Sequence, residues 1–153
     1  MPEIETAHFG KIEYGEESVV HFLDGLPAFE HRRRFLLVER ASSAPLLLLQ
    51  SLEDPNLCFV TLPVDHIVPG YRLSMSPDDR RTLGLDPDAP LRIGHNVICL
   101  AILTLGQQRP TTANLLSPVV IEPVSRRAVQ VIQTESPYSH QHPLFASPEA
   151  PCS

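Results

Sequence analysis

The most apolar stretch of the chain is Val97 to Leu105, which reads Val-Ile-Cys-Leu-Ala-Ile-Leu-Thr-Leu. Only Thr104 interrupts it, because a free cysteine behaves as a small apolar residue. A short run of this kind, with neither glycine nor proline, is typical of a strand that is buried on both faces. We therefore predict a strand here, at the centre of a β-sheet.

Shorter segments on both sides of this strand either alternate apolar and polar residues or form brief apolar runs. Alternation sends successive side chains to opposite faces of a strand, and the brief runs are too short for ordinary helices. Further strands are predicted at residues 4–8, 11–14, 18–22, 34–39, 46–51, 57–62, 119–122 and 128–134. About nine or ten short strands with one helix predict a mainly β fold, a small barrel-like or rolled antiparallel sheet, because closure removes exposed edges.

One helix is predicted between Ser76 and Gly84. Ser76 is a favourable N-cap, Pro77 suits the first helical position, and Asp79 completes a capping box. Gly84 favours termination, since glycine adopts the left-handed conformation at low cost. Leu83 is the only strong apolar anchor, so we expect this helix to decorate the sheet rather than form a core layer.

Length and charge restrict the possible functions. With 153 residues, we expect one β domain over residues 1–145 and a disordered tail over residues 146–153. The formal charge of −6 disfavours direct binding of nucleic acid or of an anionic membrane, because both need a concentrated surplus of basic residues. Three widely spaced cysteines form no disulfide framework and no run is long enough to span a membrane, so a cytoplasmic location is expected.

The sequence lacks the motifs of the common enzyme classes, including the nucleophile elbow, HExxH and the glycine-rich phosphate loops. His140-Gln141-His142 is the best metal-binding pair, but metal sites usually take three or four protein ligands, so neither a metal nor a cofactor is expected. One alternative is an enzyme with a dispersed site in which His21 or His140 lies near a carboxylate. Another is a weak RNA-binding module that uses Arg32, Arg33 and Arg34.

Polar residues interrupt the apolar pattern at two places. Residues 111–116, Thr-Thr-Ala-Asn-Leu-Leu, follow the central strand and are predicted to form a loop that Asn114 fixes by bonding backbone groups. Gln50 and Gln130 lie in apolar strands, where each is either a buried hydrogen-bonding group or part of an exposed interaction face. Glu53 and Asp54 precede Pro55 in a predicted turn.

Seven segments carry a pattern that covers the chain up to about residue 145. They are residues 21–30 (HFLDGLPAFE), 49–60 (LQSLEDPNLCFV), 83–85 (LGL), 112–121 (TANLLSPVVI), 130–132 (QVI), 138–139 (YS) and 142–144 (HPL). Their order and sequence resemble the flagellar assembly factor FliW family. Ala28 departs from the usual glycine of that family, and Glu122 stands where asparagine is common.

This resemblance implies a small β-barrel protein that binds other proteins and has no enzymatic activity. Members of the family bind the RNA-binding translational regulator CsrA, relieve its repression of flagellin mRNA, and also bind flagellin itself. The resemblance therefore implies CsrA and flagellin as partners, without direct binding of nucleic acid or membrane. Exposed polar residues on the matched segments are expected to contact the partners: Asp24, Glu30, Glu53, Asp54, Asn114, Gln130 and Tyr138.

Overall fold

The computed structural model describes residues 2–7, 9–26, 31–106, 108–133 and 136–144. Ten strands and one α-helix form within these ranges. The strands are β1 (Glu3–Thr6), β2 (Gly10–Glu13), β3 (Val19–Phe22), β4 (Arg34–Glu39), β5 (Leu47–Ser51), β6 (Cys58–Pro63), β7 (Ile98–Thr104), β8 (Thr112–Ile121), β9 (Arg127–Gln130) and β10 (His142–Pro143). The helix α1 spans Pro77–Leu83.

Seven of these strands close into a barrel. Their order is β8-β7-β6-β5-β4-β3-β9, and β9 also pairs with β8, which completes the ring. The neighbouring pairs of the ring are antiparallel except β3 and β9, which run parallel. β10 pairs with β8 outside the ring, and β1 and β2 form a separate hairpin. The predicted mainly β, barrel-like fold with one short helix is confirmed, and the parallel pair is its one departure from an antiparallel sheet.

β7 is buried on both faces, which explains why its sequence is almost continuously apolar. Leu100 belongs to a cluster that takes residues from six barrel strands and fills the interior of the ring. Within that cluster Phe22 and Phe35 meet edge to face, with ring centroids 5.4 Å apart. The alternate residues Cys99 and Ala101 belong to a second cluster on the outer face of the barrel.

The connection between β6 and β7, residues 64–97, covers this outer face. It contributes the buried side chains of Val64, Tyr71, Met75 and Leu83 to the outer cluster. The helix begins after Ser76, whose Oγ accepts the N–H of Asp79 at 3.1 Å, and it ends at Gly84 with φ 74°. Ser76 and Gly84 therefore bound the helix as predicted, and Leu83 is the one buried residue among its seven.

Two predictions of local structure were wrong. Residues 112–116 belong to β8 instead of a loop. Leu100 lies opposite Val119 while Ile102 lies opposite Asn114, so residues 115–118 form a bulge that accommodates the polar segment inside the strand.

The last barrel strand also ends earlier than predicted. β9 stops at Gln130, because the N–H of Val131 turns to the carbonyl of Pro118 at 2.9 Å and follows the bulge. The predicted tail over residues 146–153 lies outside the described residues, so the division at residue 145 stays a prediction.

Candidate protein-binding surface

Two of the predicted site residues hold the bulge of β8. Asn114 Oδ1 accepts the N–H of Ser117 at 2.9 Å, and Gln130 Nε2 donates to the carbonyl oxygen of Ser117, also at 2.9 Å. The two amides thus bind both backbone groups of a residue that has left the regular ladder with β7. Because these bonds fix them, the half-buried Asn114 and Gln130 present the rest of their side chains in one orientation.

Asn114 and Gln130 also line one cavity of about 310 Å³. Leu26, Phe59 and Ile102 supply apolar wall, while Thr104, His140 and Gln141 add polar groups. An apolar wall with a few oriented polar groups can hold a side chain of another protein and select its geometry. The structure therefore brings two of the seven predicted residues together in a site with binding chemistry.

A buried hydrogen-bond network supports the other end of the bulge. The hydroxyl of Tyr71 donates to the carbonyl of Leu115 and accepts from Gln133 Nε2 at 2.7 Å. Gln133 Oε1 in turn accepts the N–H of Ser74 at 2.7 Å. Burial, with a smaller contribution from Cys99, raises the pKa of Tyr71, so its hydroxyl stays protonated and able to donate.

Tyr138 belongs to a different part of this surface. Its ring stacks on Tyr71 with centroids 4.2 Å apart, and its hydroxyl accepts the N–H of Arg72 at 2.9 Å. It lines a second cavity, of about 520 Å³, together with Met75, Gln133 and the 61% exposed Ile132. Tyr138 is therefore held in place by its neighbours and separate from the cavity at Asn114.

Glu53 and Asp54 form the turn between β5 and β6. Glu53 Oε1 accepts the N–H groups of Arg33 and Arg34, at 2.7 and 3.3 Å. Asp54 Oδ1 accepts the N–H of Asn56 at 3.0 Å, while its Oδ2 lies 3.8 Å from a guanidinium nitrogen of Arg32. The Glu53 carboxylate thus binds the backbone at the start of β4, and the Asp54 carboxylate binds the backbone of its own turn. The Asp54 carboxylate is also partly exposed.

The remaining predicted residues are Asp24 and Glu30. Asp24 is exposed in the turn after β3 and lies close enough to raise the pKa of Asp79, a smaller effect there than the burial of Asp79. Asp24 therefore lies near α1. Glu30 lies outside the described residues.

The alternative functions find limited support in the described part of the chain. His140 lines the cavity at Asn114. No histidine in the described part of the chain forms an ion pair with a carboxylate. No group of three or more metal-ligating side chains occurs within those ranges. Arg32 and Arg34 are engaged with Asp54 and Glu16, which reduces their attraction for phosphate.

Comparison with known proteins places the whole of this fold in one family. The family model described as FliW protein matches residues 3–144. The chain belongs to the FliW family. The flagellar assembly factor FliW of Syntrophotalea carbinolica is 34% identical over 146 residues, which cover 95% of this chain and 100% of that protein. The FliW protein of Pseudothermotoga lettingae is 36% identical over 144 residues, covering 91% of this chain and 86% of that protein.

A solved structure supports the same assignment. The crystal structure of a flagellar assembly factor FliW superposes with a TM-score of 0.83 at 30% identity, covering 96% of this chain and 99% of the other. The relatives are named assembly factors, a description that indicates no catalytic activity. Among the described residues, no helix of this FliW protein is long and apolar enough to cross a membrane.

Glu122, where the resemblance led us to expect asparagine, has a structural role here. Its carboxylate accepts the N–H groups of Val124 and Ser125 at 3.0 and 2.7 Å, which closes the turn between β8 and β9. Partial burial raises the pKa of Glu122, but these bonds and the nearby Arg127 outweigh that effect and lower it overall. The Glu122 carboxylate therefore serves as the hydrogen-bond acceptor of this turn and carries a charge.

Sequence reasoning missed the residues that organise this surface. Tyr71, Ser117 and Gln133 connect the bulge to its surroundings, and the partners of Tyr71 and Gln133 lie far along the chain from them. Gln133, directly after the apolar Val131 and Ile132, was the available signal, because a buried amide requires hydrogen-bond partners.

Proposed function

We propose that this FliW protein binds CsrA and flagellin in the cytoplasm and thereby controls flagellin translation. Binding to CsrA would relieve its repression of flagellin mRNA, and flagellin would compete for the same factor. The observation that carries the proposal is the match of the FliW model to residues 3–144, which extends over every strand of the barrel. CsrA, flagellin and the location are inferences from family membership.

The charge of the chain is compatible with this role. A formal charge of −6 would attract a basic RNA-binding protein and increase the rate of encounter. The proposed contacts are the seven predicted polar residues on the matched segments, namely Asp24, Glu30, Glu53, Asp54, Asn114, Gln130 and Tyr138. Asp54 is the sharpest of these to test, because it keeps a partly exposed carboxylate.

Calorimetry tests the function directly. The purified protein is titrated with CsrA and with flagellin of the same organism, separately and then in sequence. Tight binding to each, with loss of the CsrA signal after saturation with flagellin, is the expected result. A cooperatively folding protein that binds neither would refute the proposal.

The contact at Asp54 is tested by Asp54→Asn, which removes the charge but keeps an oxygen able to accept the N–H of Asn56. We expect up to about fivefold weaker binding to CsrA, because an exposed ion pair contributes at most about 1 kcal/mol. Asp86→Asn is the matched control, since Asp86 Oδ1 accepts the N–H of Asp88 in the same kind of turn. Equal affinities of the two variants would remove Asp54 from the interface.

A further inference from the structure

The cavity that Asn114 and Gln130 line opens at one end of the barrel. Its apolar residues, Leu26, Phe59 and Ile102, belong to the cluster inside the ring or pack against that cluster. The apolar wall therefore continues the barrel interior toward solvent, and the mouth of a β-barrel is a common place for a binding site. With a volume of about 310 Å³, the cavity has room for one side chain of another protein.

The described residues that line this cavity include no Asp, Glu, Lys or Arg. Their one titratable side chain is that of His140, which is exposed, so water screens any charge it adds. A carboxylate or an ammonium group that left water for the apolar wall would therefore lack a close counter-charge. The cavity thus favours an uncharged occupant.

Asn114 leaves a hydrogen-bond donor for that occupant, and Gln130 leaves an acceptor. Asn114 Oδ1 accepts the N–H of Ser117, and Nδ2 has no partner within the described ranges. Gln130 Nε2 donates to the carbonyl oxygen of Ser117, and no described residue donates to Gln130 Oε1. These bonds identify the nitrogen and the oxygen of each amide, because only the nitrogen donates and only the oxygen accepts. The cavity therefore offers one oriented donor and one oriented acceptor.

A carboxamide is the side-chain group that matches this pair. Its oxygen can accept from Asn114 Nδ2 while its nitrogen donates to Gln130 Oε1, and its methylene groups suit the apolar wall. A carboxylate has no hydrogen to donate, and an ammonium group cannot accept. A hydroxyl does both through one oxygen, whereas the two amides are anchored on different backbone atoms of Ser117, its nitrogen and its carbonyl oxygen. An occupant with two separate polar atoms therefore fits best.

The turn that carries Asp54 lies at the same end of the barrel as this cavity. β5 ends at Ser51 and β6 begins at Cys58, and Phe59, the next residue of β6, lines the cavity. β7 ends and β8 begins at this end too, because β6, β7 and β8 are antiparallel neighbours. The cavity is thus at the end of the barrel where Asp54 is proposed to contact CsrA, so CsrA is the partner that can reach both.

We propose that this cavity receives the carboxamide side chain of an Asn or Gln residue of CsrA. Asn114 Nδ2 donates to the carboxamide oxygen, and Gln130 Oε1 accepts from the carboxamide nitrogen. The inference rests on the proposed function, because it assigns one specific contact of the complex with CsrA to these two residues.

Asn114→Asp tests the donor. The variant keeps an oxygen that accepts the N–H of Ser117 but places a second oxygen where Nδ2 donates. We expect about tenfold weaker binding of CsrA in calorimetry, because the carboxamide oxygen then faces another oxygen with no hydrogen between them. Gln108→Glu is the control, since it adds the same charge at an exposed residue that does not line this cavity, and it should bind CsrA as wild type does.

Thr104→Phe tests the space in the cavity and leaves the bonds to Ser117 in place. Thr104 is exposed on the cavity wall, so a larger ring at this position fills the space that the CsrA side chain would enter. We expect a comparable loss of CsrA binding, with cooperative thermal unfolding as in wild type. If either variant unfolds cooperatively and binds CsrA as wild type does, the assignment of this cavity to CsrA is overturned, even where flagellin binding is lost.

Double-mutant cycles identify the occupant. Each surface Asn, Gln, Ser, Thr and Tyr of CsrA is replaced by Ala, and each CsrA variant is titrated into wild type and into Asn114→Asp. Replacement of one Asn or Gln is expected to cost less affinity in the Asn114→Asp background, because that contact is already lost. Coupling to a hydroxyl residue, or to none, would overturn the carboxamide. If wild type does not bind CsrA at all, the proposed function fails together with this inference.

Discussion

Tyr71→Phe removes one oxygen from the centre of the network that supports β8. Tyr71 is only 5% exposed, and its hydroxyl joins the Leu115 carbonyl to the Gln133 amide. The ring keeps its place and its stacking on Tyr138, so the change is confined to hydrogen bonding. Leaving buried polar groups without a partner costs about 1–3 kcal/mol of the free energy of unfolding.

Urea and thermal unfolding measure this loss. For a chain of this length, it corresponds to a fall in melting temperature of roughly 2–12 °C. Tyr138→Phe is the matched control, because its hydroxyl accepts one backbone N–H at the more exposed Arg72 and it keeps the same stack. Equal stability of Tyr71→Phe and wild type, or an equal loss in the control, would refute the role given to this hydroxyl.

Alkaline pH gives an independent test of the same residue. Burial, followed by the charge of Cys99, raises the pKa of Tyr71 above its ordinary value of 10.0. The folded state therefore retains the proton more tightly, and this contribution to stability is complete below pH 10 and is lost as the pH rises further. The stability difference between wild type and Tyr71→Phe should shrink above pH 10; a constant difference would contradict the burial of an unionised hydroxyl.

Two further changes test the outer layer and the β8–β9 turn. Leu83→Ala should lower the free energy of unfolding by about 2–5 kcal/mol in urea titrations, because Leu83 is 1% exposed and anchors α1; a loss below about 1 kcal/mol would show that the helix contributes little. Glu122→Gln should be less stable than wild type at pH 7, because the folded state favours the ionised carboxylate and lowers its pKa from 4.5. The stability difference should vanish as the pH falls below 4.5 and through the lowered pKa of the folded state, since protonation of wild-type Glu122 removes the same charge. A pH-independent difference would exclude the carboxylate as its cause.

The strands were predictable because burial on one or two faces leaves a local record in the sequence. β4 has the predicted bounds Arg34–Glu39, and β7 lies within one residue of the predicted ends at each side. Bulges leave a weaker record. Thr111, Thr112 and Asn114 suggested a loop. Nothing local shows that Asn114 bonds Ser117 or that Gln130 bonds the same residue.

The candidate surface was predictable in part, for the same physical reason. Asn114 and Gln130 were singled out by residue type, but their common cavity depends on the pairing of β8 with β9, which is a long-range property. Tyr71 and Gln133 are 62 residues apart, and their bond exists only because the connection returns over the outer face of the barrel. Local patterns therefore identified which polar residues need partners, while the topology determines which partners they meet.

The same topology determines which strand edges are paired and which segment of the chain covers the barrel. Closure of the ring pairs the strands of the barrel with one another, which leaves them little edge for strand addition. Small residues on the outer face, including Cys99, Ala101 and Ala113, let the connection lie close to the barrel and bury Tyr71 and Met75 against it. The residues that alternate with these buried ones, Arg72 and Ser74, are consequently exposed at the surface of the covering segment.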